Sequence, residues 1–172
     1  TGSLGSSMAK LVAPLGANII GVNKKGKKVE GCSEVITVDK IDTVLPKADI
    51  LYLALPETPE TKNLIDKRRL DLLKPSCGIV NIGRQSALDY DALCNKLESK
   101  EIAGAILDVF KPEPIDKNSR LWETPNLVIT PHVSSDDGGN YVKMTLDLFI
   151  KNLKLFIENK ELLNQIDKDL GY

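Results

Sequence analysis

The chain has 172 residues, 42% hydrophobic and 27% charged, which is enough apolar material for one domain with a sizeable core. Lysine and arginine total 23 against 24 acidic residues, so no excess charge favours nucleic acid or an anionic membrane surface. Apolar runs such as DILYLALP are too short to cross a bilayer, and the opening residues do not read as a secretory signal. Cys32, Cys77 and Cys94 are odd in number, widely spaced and without a CxxC pair. They point to a reducing, cytoplasmic setting rather than a disulfide framework or a zinc site.

The first element is a glycine-containing turn, TGSLGSS, running into a helix over Leu4 to Leu15, with Pro14 expected to end it. Strands follow at 17–22 (ANIIGV) and 34–38 (EVITV), then a short helical stretch over Ile41–Leu45. DILYLAL (49–55) reads as a third strand, Ile65–Leu73 as a helix and GIVNI (78–82) as a fourth strand. Asp89 is placed to cap a helix over Tyr90–Leu97. GAILDV (104–109) and LVIT (127–130) are the last strands, separated by an irregular connection over 110–126. A long helix spans about Gly139 to Asn159, with Val142, Leu146, Phe149, Leu153 and Phe156 on one stripe. Near-continuous apolar strands alternating with helices predict an α/β fold, a Rossmann-type doubly wound parallel sheet.

No strand precedes the glycine turn, so the expected sheet lacks its first strand. With one glycine ahead of it, the opening would read G-T-G-S-L-G, the dinucleotide fingerprint. Gly2 would let the backbone approach a pyrophosphate, and Gly5 would let the helix pack closely. First-turn N–H groups, including those of Ser3 and Leu4, would face the phosphates at the positive end of the helix. An acidic residue about 20 positions further on ordinarily holds the adenosine ribose. Here the strand ends in Asn23-Lys24-Lys25-Gly26-Lys27-Lys28. Asparagine can still bond a hydroxyl without repelling a phosphate, and the lysines would attract one. NAD and NADP are both admitted, with NADP favoured; a solvated lysine turn is the alternative.

Three segments place reactive side chains just after strands: Arg84 in GIVNIGRQ, Asp108 and Glu113 in AILDVFKPEP, and His132, the sole histidine, in LVITPHVSS. Ligands of open α/β sheets bind outside the carboxyl ends of the strands, so these segments point to one crevice. Arginine's planar fork suits a carboxylate. Imidazole exchanges protons near neutral pH, and a carboxylate on its other nitrogen would fix the tautomer.

Those motifs, with TGSLGSSMAKLVAPLGANIIGVN, ADILYLALPETPETKNLID, LLKPSCGIVNIGRQSALDYDAL, LWETPNLVITPHVSS and NQIDKDLGY, resemble the nucleotide-binding domain of the D-isomer-specific 2-hydroxyacid dehydrogenases. That family includes phosphoglycerate dehydrogenase and glyoxylate/hydroxypyruvate reductase. The resemblance implies hydride transfer between NAD(P)(H) and a 2-keto or D-2-hydroxy acid. Arg84, Glu113 and His132 would be its catalytic set, and Asp108 would contact the nicotinamide end. Leu55, Pro56, Thr61, Ile82, Gly83, His132 and Ser134 are further expected around the cofactor, beside Gly2, Ser3, Leu4, Gly5, Asn23, Lys24 and Lys25. Residues 1–161 would form the nucleotide domain and 162–172 a tail returning to a substrate domain otherwise absent from this sequence. A homodimer is implied, with the loop around Trp122 and the long helix as candidate contact surfaces. One departure is Gln85, where the family usually carries glycine. Two alternatives are a non-catalytic, dinucleotide-sensing protein like the corepressors that share the fold, and an inactive nucleotide-binding fragment of the enzyme.

Overall fold

The computed structural model describes residues 1–168; the last four residues of the NQIDKDLGY motif lie outside them. Two compact units divide at His132: Thr1–His132, and the segment from Val133 onward. All six expected strands form, each shortened at one end or both: β1 (Ile20–Val22), β2 (Glu34–Ile36), β3 (Ile50–Leu53), β4 (Gly78–Asn81), β5 (Gly104–Leu107) and β6 (Leu127–Ile129). Every pairing is parallel. β1 and β2 make one sheet, and β3-β4-β5-β6 make another in sequence order. Parallel order sends the residues that follow β4, β5 and β6 off the same edge, which is what gathers the site.

The register aligns Tyr52, Val80, Ile106 and Val128 in one row and Leu53, Asn81, Leu107 and Ile129 in the next. Successive residues of a strand face opposite sides of the sheet. Leu53, Leu107 and Ile79 share a core with Ile65, Leu70, Leu93 and Leu97. The other row stays open, with Ile106 at 42% exposure and Val128 at 55%. Apolar strand sequences predict burial on both faces; within this unit the helices after β3 and β4 both pack on one.

The helices are α1 (Ser3–Val12), α2 (Lys67–Leu70), α3 (Tyr90–Glu98) and α4 (Tyr141–Ile157). α1 gives way to a 3-10 turn over Ala13–Leu15 that carries Pro14, where the proline was expected to end it. The stretch around Ile41–Leu45 forms 3-10 turns, Val38–Thr43 and Leu45–Lys47, rather than an α-helix. α2 is a single turn, shorter than the expected Ile65–Leu73. Beyond it, Leu72 and Leu73 donate to carbonyls three residues back, and Pro75 follows closely. α3 forms as expected: the Asp89 side chain accepts from the Ala92 N–H at 2.9 Å. Its Leu93 and Leu97 are fully buried, each contributing about 1.5–3 kcal/mol.

In the second unit, α4 has no buried residue, and its apolar stripe, Val142 to Phe156, is 45–70% exposed. No helix among the described residues is long and apolar enough to cross a membrane.

Candidate active site at the strand exits

Beyond β4 the chain runs through Ile82 and Gly83 to Arg84. Gly83 lies against the backbone after β3: an added Cβ would fall 2.4 Å from the Leu55 N and 2.6 Å from the Leu55 O. Only glycine permits that approach. The Arg84 side chain is exposed and donates from Nη1 to the Gly83 carbonyl at 2.8 Å. Gln85 opens a 3-10 turn over Gln85–Ala87, a conformation any L residue adopts, so its replacement of glycine leaves the backbone at the arginine intact.

Beyond β5 come Asp108, Val109 and Phe110. The Asp108 carboxylate is 1% exposed and accepts from the Thr130 hydroxyl at 2.5 Å, which ties the exits of β5 and β6 together. The peptide bonds Lys111–Pro112 and Glu113–Pro114 are cis. Glu113 turns back, and its Oε1 accepts from the Phe110 N–H at 2.7 Å.

Beyond β6, His132 has φ 56°, in the left-handed region that few non-glycine residues visit. Its N–H bonds the Thr130 carbonyl at 3.0 Å. Such a conformation costs on the order of 1–3 kcal/mol and is concentrated at functional sites. The imidazole Nδ1 stands 2.9 Å from Glu113 Oε2. That contact leaves Nε2 as the nitrogen available for proton exchange.

Bonding to His132, the Phe110 N–H and the nearby positive charges of His132 and Arg84 hold the Glu113 carboxyl below its ordinary range. A depressed carboxylate stabilises the fold above its unfolded value and loses that contribution as pH falls through the folded value. With Glu113 38% and His132 46% exposed, the contribution to folding is small, and orienting the ring is the main consequence. A carboxylate and an imidazole therefore meet at the strand exits, and the Arg84 charge acts on the same carboxylate.

The residues expected around the cofactor are distributed as follows. Gly2 caps α1 with no side-chain bond, and nothing stands within 4 Å of where its Cβ would be. Uncapped first-turn N–H groups beside open space suit a pyrophosphate. Gly5 is buried, yet a Cβ there would make only ordinary contact, 3.6 Å, with the Thr1 side chain. The close approach expected at Gly5 is absent there; Gly31 packs against the backbone of α1, where a Cβ would fall 2.7 Å from the Ala9 C, and Gly83 packs against the chain after β3.

Asn23 shapes the lysine turn. Its Oδ1 accepts from the N–H groups of Lys25 and Lys27, each at 3.1 Å, and its Nδ2 donates to the Lys27 carbonyl at 2.9 Å. The amide expected to meet a ribose is thus engaged in holding that turn. Lys24 makes one loose, exposed pair with Glu60 at 3.7 Å. Pro56 and Thr61 share a turn, the Thr61 hydroxyl donating to the Pro56 carbonyl at 2.7 Å. Ser134 is exposed and belongs to the second unit.

Sequence reasoning missed Asn81 and Tyr90, both buried behind the arginine turn. The available signal was an amide inside an otherwise apolar strand, GIVNI, because a buried polar side chain needs partners.

The family described as D-isomer specific 2-hydroxyacid dehydrogenase, NAD binding domain, matches residues 1–134. The chain belongs to that family. The glyoxylate reductase of Thermococcus litoralis is 33% identical over 171 residues, covering 98% of this chain and 50% of that protein. A D-isomer specific 2-hydroxyacid dehydrogenase from Xanthobacter autotrophicus, solved with NADPH and MES, superposes with a TM-score of 0.91 at 31% identity. The match covers 99% of this chain and 53% of that one. The NADPH-dependent glyoxylate/hydroxypyruvate reductase of Sinorhizobium meliloti, solved with NADP and sulfate, gives 0.91 at 28% identity, covering 100% and 55%. This dehydrogenase domain spans about half the length, or less, of the curated relatives it matches. The family description makes this an NAD-binding domain, and the two solved neighbours hold the phosphorylated cofactor.

Proposed function

We propose that the protein carrying this domain transfers a hydride between NAD(P)(H) and a small 2-keto or D-2-hydroxy acid. The observation that carries the proposal is the Glu113–His132 pair, 2.9 Å apart at the exit of β6, with the Arg84 charge acting on the same carboxylate. Gly2, Ser3, Leu4 and Gly5 would hold the pyrophosphate, with Leu55, Pro56, Thr61, Ile82, Gly83 and Asp108 along the rest of the dinucleotide. When bound, the nicotinamide supplies or accepts the hydride. Arg84 clamps the substrate carboxylate and polarises its keto oxygen. His132 gives a proton to the developing alkoxide during reduction and takes it back during oxidation. Glu113 holds the ring in the tautomer that this exchange requires.

The test is a screen of the full-length protein against glyoxylate, hydroxypyruvate and pyruvate with NADPH and NADH. Turnover of at least one keto acid is expected; inertness toward all three with either cofactor sinks the proposal.

The lysine turn favours NADP(H). Asn23 organises the turn without adding a negative charge, and Lys24 is held only by an exposed pair. Two solved relatives carry NADPH or NADP. Replacing Lys24 and Lys25 together with alanine should weaken NADPH binding about tenfold or more, the scale of one charge-assisted bond, and leave NADH binding nearly unchanged. The loss should shrink at high salt. Equal losses for both cofactors in fluorescence titrations would refute a phosphate role for the turn.

The proposal extends to a cytoplasmic homodimer, with the tail from residue 162 serving a substrate domain. Trp122, 53% exposed with its indole N–H on the Asp116 carbonyl, and the apolar stripe of α4 are surfaces a second copy could use.

A further inference from the structure

Behind the catalytic trio lies a line of hydrogen bonds between buried groups. Asn81, 0% exposed, sits at the end of β4, and Tyr90, 8% exposed, opens α3. The Asn81 amide spends both hydrogens, donating from Nδ2 to the Arg84 carbonyl and to the Tyr90 hydroxyl oxygen, each at 3.2 Å. Its Oδ1 accepts from the Gly83 N–H at 3.1 Å. The Tyr90 hydroxyl in turn donates to the Val109 carbonyl at 2.7 Å. Val109 is joined by one peptide bond to Phe110, whose N–H holds Glu113 at 2.7 Å and whose ring meets Tyr90 edge-on, with centroids 6.2 Å apart. Glu113 then bonds His132. One connected path runs from the arginine turn to the imidazole, and each donor in it has an acceptor.

We propose that Tyr90 and Asn81 are positioning residues, a buried brace that sets the distance between the Arg84 turn and the Glu113 loop and so aligns clamp and proton donor. The inference rests on the reductase reading above for its catalytic consequence, but the brace itself is geometric. Three features favour a positioning role over simple filling of the core. Apart from the bond that joins the two side chains, the bonds go to main-chain groups flanking the site: the Arg84 and Val109 carbonyls and the Gly83 N–H. Both partners are buried, where a polar bond is strong and its loss leaves a carbonyl unpaired. Burial, with lesser contributions from Glu113 and Asp108, also pushes the Tyr90 phenol well above its ordinary range, so the hydroxyl remains a donor throughout the working pH. Neither residue would touch the substrate; both act through Arg84 and Glu113.

The experiment compares Tyr90→Phe with Leu97→Val in the full-length protein. Leu97 is a fully buried residue of the same helix, outside the brace. Both variants should lower the melting temperature. Tyr90→Phe should also cut kcat for keto-acid reduction about tenfold to a hundredfold, the scale of a misplacement of roughly an ångström, and leave the cofactor dissociation constant unchanged. Leu97→Val should keep the wild-type kcat per folded molecule. A readout independent of turnover is the titration of the Glu113 carboxyl, followed by carbon NMR. In Tyr90→Phe it should move back toward the ordinary glutamate range as the Phe110 N–H drifts; in Leu97→Val it should stay depressed. Wild-type kcat together with an unmoved Glu113 titration in Tyr90→Phe would overturn the brace. If the wild-type protein reduces no keto acid, the functional reading fails, and the Glu113 titration still judges the brace.

Discussion

Replacing His132 with asparagine in the full-length protein is expected to lower kcat for keto-acid reduction by about 10²–10⁴, the usual worth of a positioned general acid–base. The dissociation constant for the reduced cofactor should change by less than about twofold, because only an interaction made in the transition state is removed. Asparagine is the appropriate substitute for a backbone reason. Residue 132 has φ 56°, and asparagine adopts that left-handed conformation far more readily than branched or bulky residues do. The chain should therefore hold its turn while losing the titrating ring. A β-branched substitute would mix lost chemistry with lost structure and could not be interpreted. Steady-state kinetics beside fluorescence titration of NADPH supply both numbers. Turnover near the wild-type value would remove His132 from the proton path and with it the mechanism.

The second large effect concerns folding. Gly83→Ala should destabilise the domain by roughly 3 kcal/mol or more, at or beyond the upper end for an overpacked site. The new methyl carbon would stand 2.4 Å from the Leu55 N, 2.6 Å from the Leu55 O and 3.0 Å from the Ala54 C. These are backbone atoms just beyond β3, and they can yield only if the exits of β3 and β4 part. Gly2→Ala is the matched control, since nothing lies within 4 Å of its Cβ position. Its cost should stay under about 1 kcal/mol, the difference between glycine and alanine at an N-cap. Affinity for the dinucleotide should nonetheless fall, because the methyl occupies the space through which a phosphate would approach. Urea denaturation with and without NADPH separates the two outcomes. Equal stability losses at both positions would contradict the packing difference.

Several elements were legible from residues alone because their causes are local. Asp89 followed by an apolar repeat dictates a capped helix, and α3 begins at Tyr90. Pro14 removes a donor, and α1 ends at Val12. Short apolar segments separated by turns became six parallel strands, each one to three residues shorter than expected. The apolar spacing of Ile65–Leu73 predicts a longer helix than the single turn that forms, because it reports which side faces the core and not how the backbone bonds.

The same division holds at the site. Residue types and order alone determined that Arg84, Glu113 and His132 follow strands, that a glycine turn opens a helix, and that a lysine cluster replaces the usual acid. Chemical identity and one-dimensional position suffice for statements of that kind. Only the tertiary structure decided that Glu113 turns back 19 positions in sequence from His132 to meet its ring, that Asn23 is occupied within its own turn, that Gly83, unlike Gly5, is packed closely against backbone, and that Asn81 and Tyr90 tie the arginine turn to the glutamate loop. Each depends on the separation of two chain segments across the sheet. Strand register and core packing set that separation, and no local pattern of residues encodes it.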